Sequence, residues 1–194
     1  MLQVILDVET KKTFDQVGGF FPDRLGISFV GVCVRDGFTG KGEMQSYFEQ
    51  DLPDLFPLLE RADVIVGFNV DQFDMQTFVP YYAGDVAQIP TLDLMIRIKD
   101  SIGHRIGLDA VAQETLGIGK SGSGLDAIKY YQTKQLDKLR DYCLQDVAVT
   151  RDIYDHGLKT GKVKFKNKWN RLIDCEVDFS FTPKKDAGVQ MSLI

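Results

Sequence analysis

The chain has 194 residues, 44% of them hydrophobic and 26% charged, which is the composition of a globular protein long enough for one domain with a full core. Its formal net charge of −5 argues against affinity that rests on general neutralisation of phosphates, but it is compatible with nucleic acid bound through metal ions and a local basic strip. No signal peptide and no membrane span are expected, and the three cysteines, which lack metal-type spacing, are expected to be free thiols in a reducing cytoplasm.

The first part of the chain predicts three strands that pair as a meander. The first strand is the apolar run that ends in Asp7, Val8, Glu9 and Thr10, and a polar loop is expected over residues 11–24. Residues 25–34 are rich in apolar and β-branched side chains, and residues 43–49 follow a glycine-containing turn. Both segments are therefore predicted to be strands.

Strands and helices alternate in the rest of the chain. Asp51 and Pro53 predict the start of a helix. The further predicted elements are a strand at 62–68, a helix at 71–82, an extended segment at 90–95, a helix at 108–116 ended by Gly117, a helix at 125–131, a long helix at 136–156 closed by Gly157, and a hairpin of 161–169 with 172–181. This order predicts an α/β sandwich around a mixed central sheet, in one domain of residues 1–181 with a flexible tail at 182–194.

Asp7 and Glu9 are the first candidate site. Residues two apart in a strand project from the same face, so these two carboxylates are expected side by side. Like charges held that close favour a bound cation or a proton, and paired carboxylates are typical ligands of hard divalent metals. The alternative is a strand that simply ends with two solvated acids, since the D-x-E pattern is common.

Three later residues are candidates for the same site. Asp74 follows a buried strand and enters a helix near the carboxyl edge of the sheet, where open α/β sheets place their sites. Tyr142 and Asp146 are four residues apart in the long helix and share one face. Each also has a simpler interpretation, because Asp74 can complement a helix dipole and Asp146 can be solvated beside a half-buried tyrosine.

The ordered set of motifs resembles the DEDD superfamily of exonucleases. D-x-E-T on the first strand, G-F-N-x-x-x-F-D after a later strand and Y-x-x-x-D on the last long helix match its three motifs. The tyrosine version, DEDDy, fits better than the histidine version, because the position that would need a histidine is Asp141. The segment around Asp74 most resembles the proofreading exonuclease domain of B-family DNA polymerases and small bacterial relatives of it. The resemblance covers about residues 2–154 and implies a ribonuclease H-like fold.

The resemblance also implies a chemistry and its residues. Asp7, Glu9, Asp74 and Asp146 would hold two Mg²⁺ or Mn²⁺ ions, and Tyr142 would orient the attacking water. Thr10, Asn69 and Phe73 resemble positions that hold the terminal nucleotide, although core packing is an equal alternative for Phe73. The implied activity is 3′–5′ exonuclease action on single-stranded DNA ends. The alternatives are a 3′–5′ exoribonuclease of the same fold and a non-catalytic adaptor.

Three further features carry weaker hypotheses. Asp93 could support the site, but a strand-end role is preferred. Lysines at positions 162, 164, 166 and 168 are expected on one strand face, as a basic strip for single-stranded nucleic acid or as protection of an edge strand. The last five residues resemble the short peptide with which bacterial replication and repair proteins bind the sliding clamp: Gln190, Met191, Ser192, Leu193 and Ile194.

Overall fold

The computed structural model describes residues 1–37, 40–119 and 122–182. Its centre is a five-stranded mixed sheet with the strand order β3-β2-β1-β4-β5. The strands are β1 (Leu2–Thr10), β2 (Ile27–Asp36), β3 (Glu43–Phe48), β4 (Val64–Gly67) and β5 (Thr91–Asp93). The first three pair antiparallel, as the predicted meander requires, whereas β4 and β5 are parallel to β1. The predicted mixed α/β sandwich is confirmed.

Helices cover both faces of the sheet. They are α1 (Phe14–Val17), α2 (Leu52–Arg61), α3 (Asp74–Phe78), α4 (Leu94–Ile102), α5 (Leu108–Leu116), α6 (Gly124–Gln132) and α7 (Leu136–Thr160). The side chains of β1 alternate between the two faces, so that Val4, Leu6 and Val8 pack with the side chains of α2 and α3. Ile5 packs with α4, α5 and α7 on the opposite face. The same alternation turns Asp7 and Glu9 towards α7.

The last part of the chain returns to this core. Strands β6 (Lys162–Lys166) and β7 (Leu172–Glu176) form the predicted antiparallel hairpin. Phe179, which follows the hairpin, is 1% exposed and lies against Tyr154 and Gly157 of α7. Among the residues that the structure describes, no helix is both long enough and apolar enough to cross a membrane.

One predicted loop and two predicted helix boundaries were wrong, each for a physical reason. The predicted loop at residues 11–24 contains α1, because Thr13 and Gln16 form a capping box around its first turn. Helix α3 has five residues instead of the predicted twelve, since Asn69 has a positive φ of 71° and the turn after it is bound by Asp93. Helix α7 continues to Thr160 because Gly157 leaves room for the ring of Phe179 and does not end the helix.

Helix α4 was missed and Asp51 has a different role from the predicted cap. The side chain of Asp93 accepts a hydrogen bond from the backbone N–H of Ile96, so α4 begins directly after β5. The carboxylate of Asp51 instead accepts from the backbone N–H of Phe48, in the 3₁₀ turn before α2. Residues 183–194, with the predicted tail and the peptide from Gln190 to Ile194, lie outside the described residues.

Candidate active site

Asp7 and Glu9 lie side by side at the end of β1, on the face covered by α7. Glu9 is 7% exposed, and Asp7 borders an open cavity. The Sγ of Cys143, on α7, donates a hydrogen bond to Asp7 Oδ2 at 3.3 Å. One potential ligand atom from each of these three residues lies within 4.8 Å of the others. The strand thus presents two neighbouring carboxylates to one small volume.

Asp74 is tied to the same strand. It is the first residue of α3 and is 3% exposed. The backbone N–H of Val8, between Asp7 and Glu9, donates a hydrogen bond to Asp74 Oδ1 at 2.9 Å. The charges of Asp7 and Glu9 both interact with Asp74. The acid that the sequence placed after a distant strand therefore joins the first two.

Asp93 organises the turn that leads to Asp74. Its carboxylate accepts hydrogen bonds from the backbone N–H groups of Asn69 at 2.9 Å and Asp71 at 3.2 Å. It also accepts from the N–H of Ile96 at 3.2 Å. One buried side chain thereby fixes the path from β4 to α3 and the start of α4. Asp93 therefore both ends strand β5 and supports the turn that leads to the site.

Tyr142 and Asp146 complete the group from α7. They lie one turn apart on the same helix face and line the cavity together with Asp7. The tyrosine hydroxyl also interacts electrostatically with the Asp146 carboxylate. The ring of Tyr142 lies close to Gly122, where an added Cβ would stand 3.0 Å from its Cε2. The chain segment before α6 therefore packs closely on the tyrosine.

The electrostatics of the group are those of acids crowded together out of water. Burial, and then the charge of Asp146, raise the pKa of Asp7 to about 7. Burial likewise raises the pKa of Asp146 to about 6. Burial and the neighbouring carboxylates raise the pKa of Glu9 and of Asp74 well above their ordinary values. In the absence of a cation, such a cluster binds protons at neutral pH.

This donor set fits hard divalent cations. Four carboxylates from three separate elements could supply oxygen ligands, and a cation among them would replace the protons that their raised pKa values favour. The thiol of Cys143 is a soft donor nearby, but burial and the charge of Asp7 raise its pKa, so it remains a protonated donor to Asp7. The residues that would hold metal are Asp7, Glu9, Asp74 and Asp146.

The cavity beside the acids has one anionic end and one apolar wall. Its volume is about 400 Å³. The apolar wall consists of side chains from four segments of the chain: Phe14, Leu25, Phe73, Leu125 and Ile128. The rings of Phe14 and Phe73 meet edge to face at 6.0 Å between centroids. Of the predicted nucleotide-holding residues, Thr10 and Phe73 line this cavity.

Asn69 lies on the turn between β4 and α3. It is not one of the described residues that line the cavity. Its side-chain oxygen lies 3.4 Å from Nη2 of Arg105, and its backbone N–H donates to Asp93. Sequence reasoning did not identify Cys143 or Phe14 as parts of the site. Cys143 directly follows Tyr142, which was a usable signal, whereas the position of Phe14 depends on the short helix α1.

Comparison with solved structures shows the fold. The family B DNA polymerase from the hyperthermophilic archaeon Pyrobaculum calidifontis superimposes with a TM-score of 0.60 and 18% identity, over 81% of this chain and 24% of that chain. Exonuclease I in its apo form gives a TM-score of 0.47 and 14% identity, over 81% of this chain and 42% of that chain. The zinc-bound complex of E. coli Exonuclease I with single-stranded DNA gives a TM-score of 0.48 and 13% identity, over 82% of this chain and 41% of that chain.

The proteins in these structures are longer than this chain, which spans about a quarter of the polymerase and about two fifths of Exonuclease I. No curated protein matches the sequence. The family model of the RNase H superfamily matches residues 4–157, which include every acid of the site. The ribonuclease H-like fold that the motifs predicted is confirmed, and the chain belongs to the RNase H superfamily.

Proposed function

We propose that the protein is a metal-dependent 3′–5′ exonuclease that hydrolyses phosphodiester bonds at the 3′ ends of single-stranded DNA. The observation that carries the proposal is the meeting of four acids, two of them buried and two half-buried, beside an apolar-walled cavity of about 400 Å³. The acidic end suits a cation that neutralises a phosphate, and the wall with Phe14 and Phe73 suits the flat face of a base. Membership of the RNase H superfamily and the order of the three motifs support the same assignment.

The proposed roles follow from where each side chain lies. Bound at the acids, two Mg²⁺ or Mn²⁺ ions would activate a water molecule and stabilise the leaving 3′ oxygen. Asp7, Glu9, Asp74 and Asp146 would hold the cations, and Cys143 keeps the carboxylate of Asp7 in one orientation. The pKa of Tyr142 is raised above its ordinary value by burial and by Asp146, so its hydroxyl stays protonated. Tyr142 therefore orients the water by hydrogen bonding and does not act as a general base.

Thr10 and Phe73 would hold the terminal nucleotide. Thr10 Oγ1 donates to the carbonyl of Lys12 at 3.1 Å, which fixes the start of the segment that carries Phe14. Phe73 immediately precedes Asp74, so a base stacked on its ring would place the terminal phosphate near the acids. Such stacking is tolerant of base identity, and the proposed enzyme accordingly has little sequence preference.

The test is the degradation of matched DNA and RNA oligonucleotides labelled at the 3′ or the 5′ end, with Mn²⁺, with Mg²⁺ and with EDTA. We expect mononucleotide release from the 3′ end of single-stranded DNA, only with metal. Asp7→Ala and Asp146→Ala should abolish cleavage while circular dichroism shows an intact fold. Cleavage by the Asp7→Ala protein at the wild-type rate would exclude the assignment, and preferential degradation of RNA would make the protein an exoribonuclease.

A further inference from the structure

The tip of the β6–β7 hairpin presents an exposed aromatic ring among cations. Trp169, the only tryptophan of the chain, is 69% exposed. The Nζ of Lys168 lies 4.5 Å from the centroid of its indole ring. Residues 159–171 contain six basic residues and no acidic residue, in a chain with 28 acidic and 23 basic residues. The hairpin follows the part of the chain that the family model matches, residues 4–157.

The positive charge of this hairpin is concentrated at its tip. The lysines of β6 alternate with buried residues and share one exposed face, but each has an acidic neighbour. Lys162 lies 3.9 Å from Glu176, Lys164 lies 3.8 Å from Asp174, and Lys166 lies 2.9 Å from Glu114. Lys168 and Arg171 lie beyond the strand in the exposed turn, and within the described part of the chain neither forms an ion pair. The strand face is thus locally neutralised, whereas the tip is not.

The tip also borders a groove, and Arg105 links the segment that lines this groove to the turn before Asp74. The groove has a volume of about 550 Å³, and its lining includes His104, Phe165 and Trp169. The next residue along the chain from His104 is Arg105, whose guanidinium contacts the side chains of Gln72 and Asn69. These two residues belong to the turn that precedes Asp74. One residue therefore separates the groove lining from the turn that carries an acid of the site.

We propose that this tip is a binding site for single-stranded polynucleotide, upstream of the strand end that enters the acid cluster. The ring of Trp169 stacks on one base, and Lys168 and Arg171 bind the phosphates on either side of it. A single strand alternates flat bases with negative phosphates, which matches an exposed ring flanked by two cations. An acidic peptide offers the charges without the flat rings. The statement that the same strand reaches the acids rests on the proposed function, whereas binding at the tip does not.

Because Trp169 is the only tryptophan, its fluorescence reports on this site alone. Oligothymidylates of increasing length are titrated into the wild-type protein in EDTA, where binding is measured without cleavage. We expect quenching that requires single strands and that decreases with salt. Matched oligouridylates and a DNA duplex are compared with the oligothymidylates. Equal quenching by oligouridylates would show that the site contacts bases and phosphates but not the sugar. Quenching by the duplex as strong as that by single strands would overturn the inference.

Variants then separate the contribution of base stacking to oligonucleotide affinity from the contribution of charge. Trp169→Ala should weaken binding of a labelled long oligonucleotide about 5- to 150-fold, the range expected for one lost base–aromatic stack, while Trp169→Phe retains most of the affinity. Lys168→Ala and Arg171→Ala should each reduce the slope of log K against log salt by about 0.7. Lys162→Ala is the matched control, because this lysine lies in the same hairpin but faces Glu176, and it should leave affinity and cleavage unchanged.

The outcomes distinguish this inference from the proposed function. If no oligonucleotide quenches Trp169 and Trp169→Ala binds as the wild type does, the tip is not a polynucleotide site, even if the protein degrades DNA. If quenching occurs but no metal supports cleavage, the proposed exonuclease activity fails and the binding site stands. Quenching by poly-glutamate and not by oligonucleotides would overturn the inference in favour of an acidic protein partner.

Discussion

The carboxylate of Asp74 accepts a hydrogen bond from the backbone N–H of Val8 at 2.9 Å, and Val8 is the residue between Asp7 and Glu9. This bond joins the start of α3 to the end of β1. It gives Asp74 a structural function in addition to its proposed function as a metal ligand. The two functions make different demands on the side chain, because an amide can accept this hydrogen bond but cannot supply the charge.

Substitution of Asp74 should therefore separate stability from activity. Asp74→Asn and Asp74→Ala are both expected to abolish cleavage. Asp74→Ala should also lower the free energy of unfolding by about 1–3 kcal/mol relative to Asp74→Asn, because it leaves the buried N–H of Val8 without its acceptor. The measurement is denaturant unfolding of both variants in EDTA. Equal stability of the two variants would mean that the bond to Val8 contributes nothing.

The stability of the metal-free protein should depend on pH through Asp7. The pKa of Asp7 is about 7 in the folded protein, mainly because of burial, and near 3.9 in an unfolded chain. The folded state thus binds the proton more tightly, and this contribution to stability is complete below about pH 4 and is lost as the pH rises through about 7. Relative to Asp7→Asn, the wild-type protein in EDTA should become progressively less stable over this range.

Added Mn²⁺ should reverse that trend. Metal binding requires the ionised carboxylates, so the increase in melting temperature caused by Mn²⁺ should be larger at pH 8 than at pH 6. Asp7→Asn should show a smaller increase at both values. A Mn²⁺ effect that is independent of pH, or unchanged in Asp7→Asn, would contradict the assignment of Asp7 as a ligand.

Tyr142→Phe tests whether Tyr142 orients the attacking water or accepts a proton from it. The change removes the hydroxyl that interacts with Asp146 but keeps the ring that packs near Gly122. We expect kcat to fall about 100-fold, as for a misplaced reacting group, with little change in KM. The shape of the pH profile of kcat should be retained, because no titrating base is lost. Tyr82→Phe, which removes a surface hydroxyl bonded to Glu60, is the control and should not alter activity.

Gly31→Ala should disturb the site by displacing α7 from the sheet. Gly31 lies on β2 under α7, where an added Cβ would stand 3.0 Å from Cys143 Sγ and 3.1 Å from Val147 Cγ2. The helix that carries Tyr142 and Asp146 would have to move away from the sheet. We expect the free energy of unfolding to fall by about 1–3 kcal/mol and cleavage to decrease.

The matched control for this substitution is Gly119→Ala. Gly119 has no positive φ, and nothing lies within 4 Å of an added Cβ. It should leave stability and cleavage close to the wild-type values. Full activity of Gly31→Ala would show that the distance between α7 and the sheet is not critical for the site.

The parts of the molecule that the sequence predicted well depend on local rules. The period of two in a strand placed Asp7 and Glu9 on one face, and the spacing of four in a helix paired Tyr142 with Asp146. Strand β6 of the hairpin could equally be predicted from the sequence, because lysines alternate with apolar residues along it. Each of these relationships lies within one element or between sequence neighbours.

Most of the parts that were missed depend on contacts between distant segments, although the caps at the starts of α1 and α4 are local signals that the sequence does carry. The extent of α3 follows from the bonds between Asp93 and the turn at Asn69, which are 24 residues apart. The true end of α7 follows from Phe179, far along the chain from Gly157. Phe14 enters the cavity because the loop after β1 folds into a short helix whose ring contacts Phe73. No periodicity within a single segment encodes such partners.

The contact between Gly157 and Phe179 has an evolutionary consequence. An added Cβ at Gly157 would lie 2.2 Å from the phenyl ring of Phe179. No residue larger than glycine therefore fits at this helix position while the ring is present. A homologue whose chain stopped after the long helix would be free of that restriction. Across the family, glycine at this position should therefore be inherited together with the hairpin extension, and bulkier residues should occur where the extension has been lost.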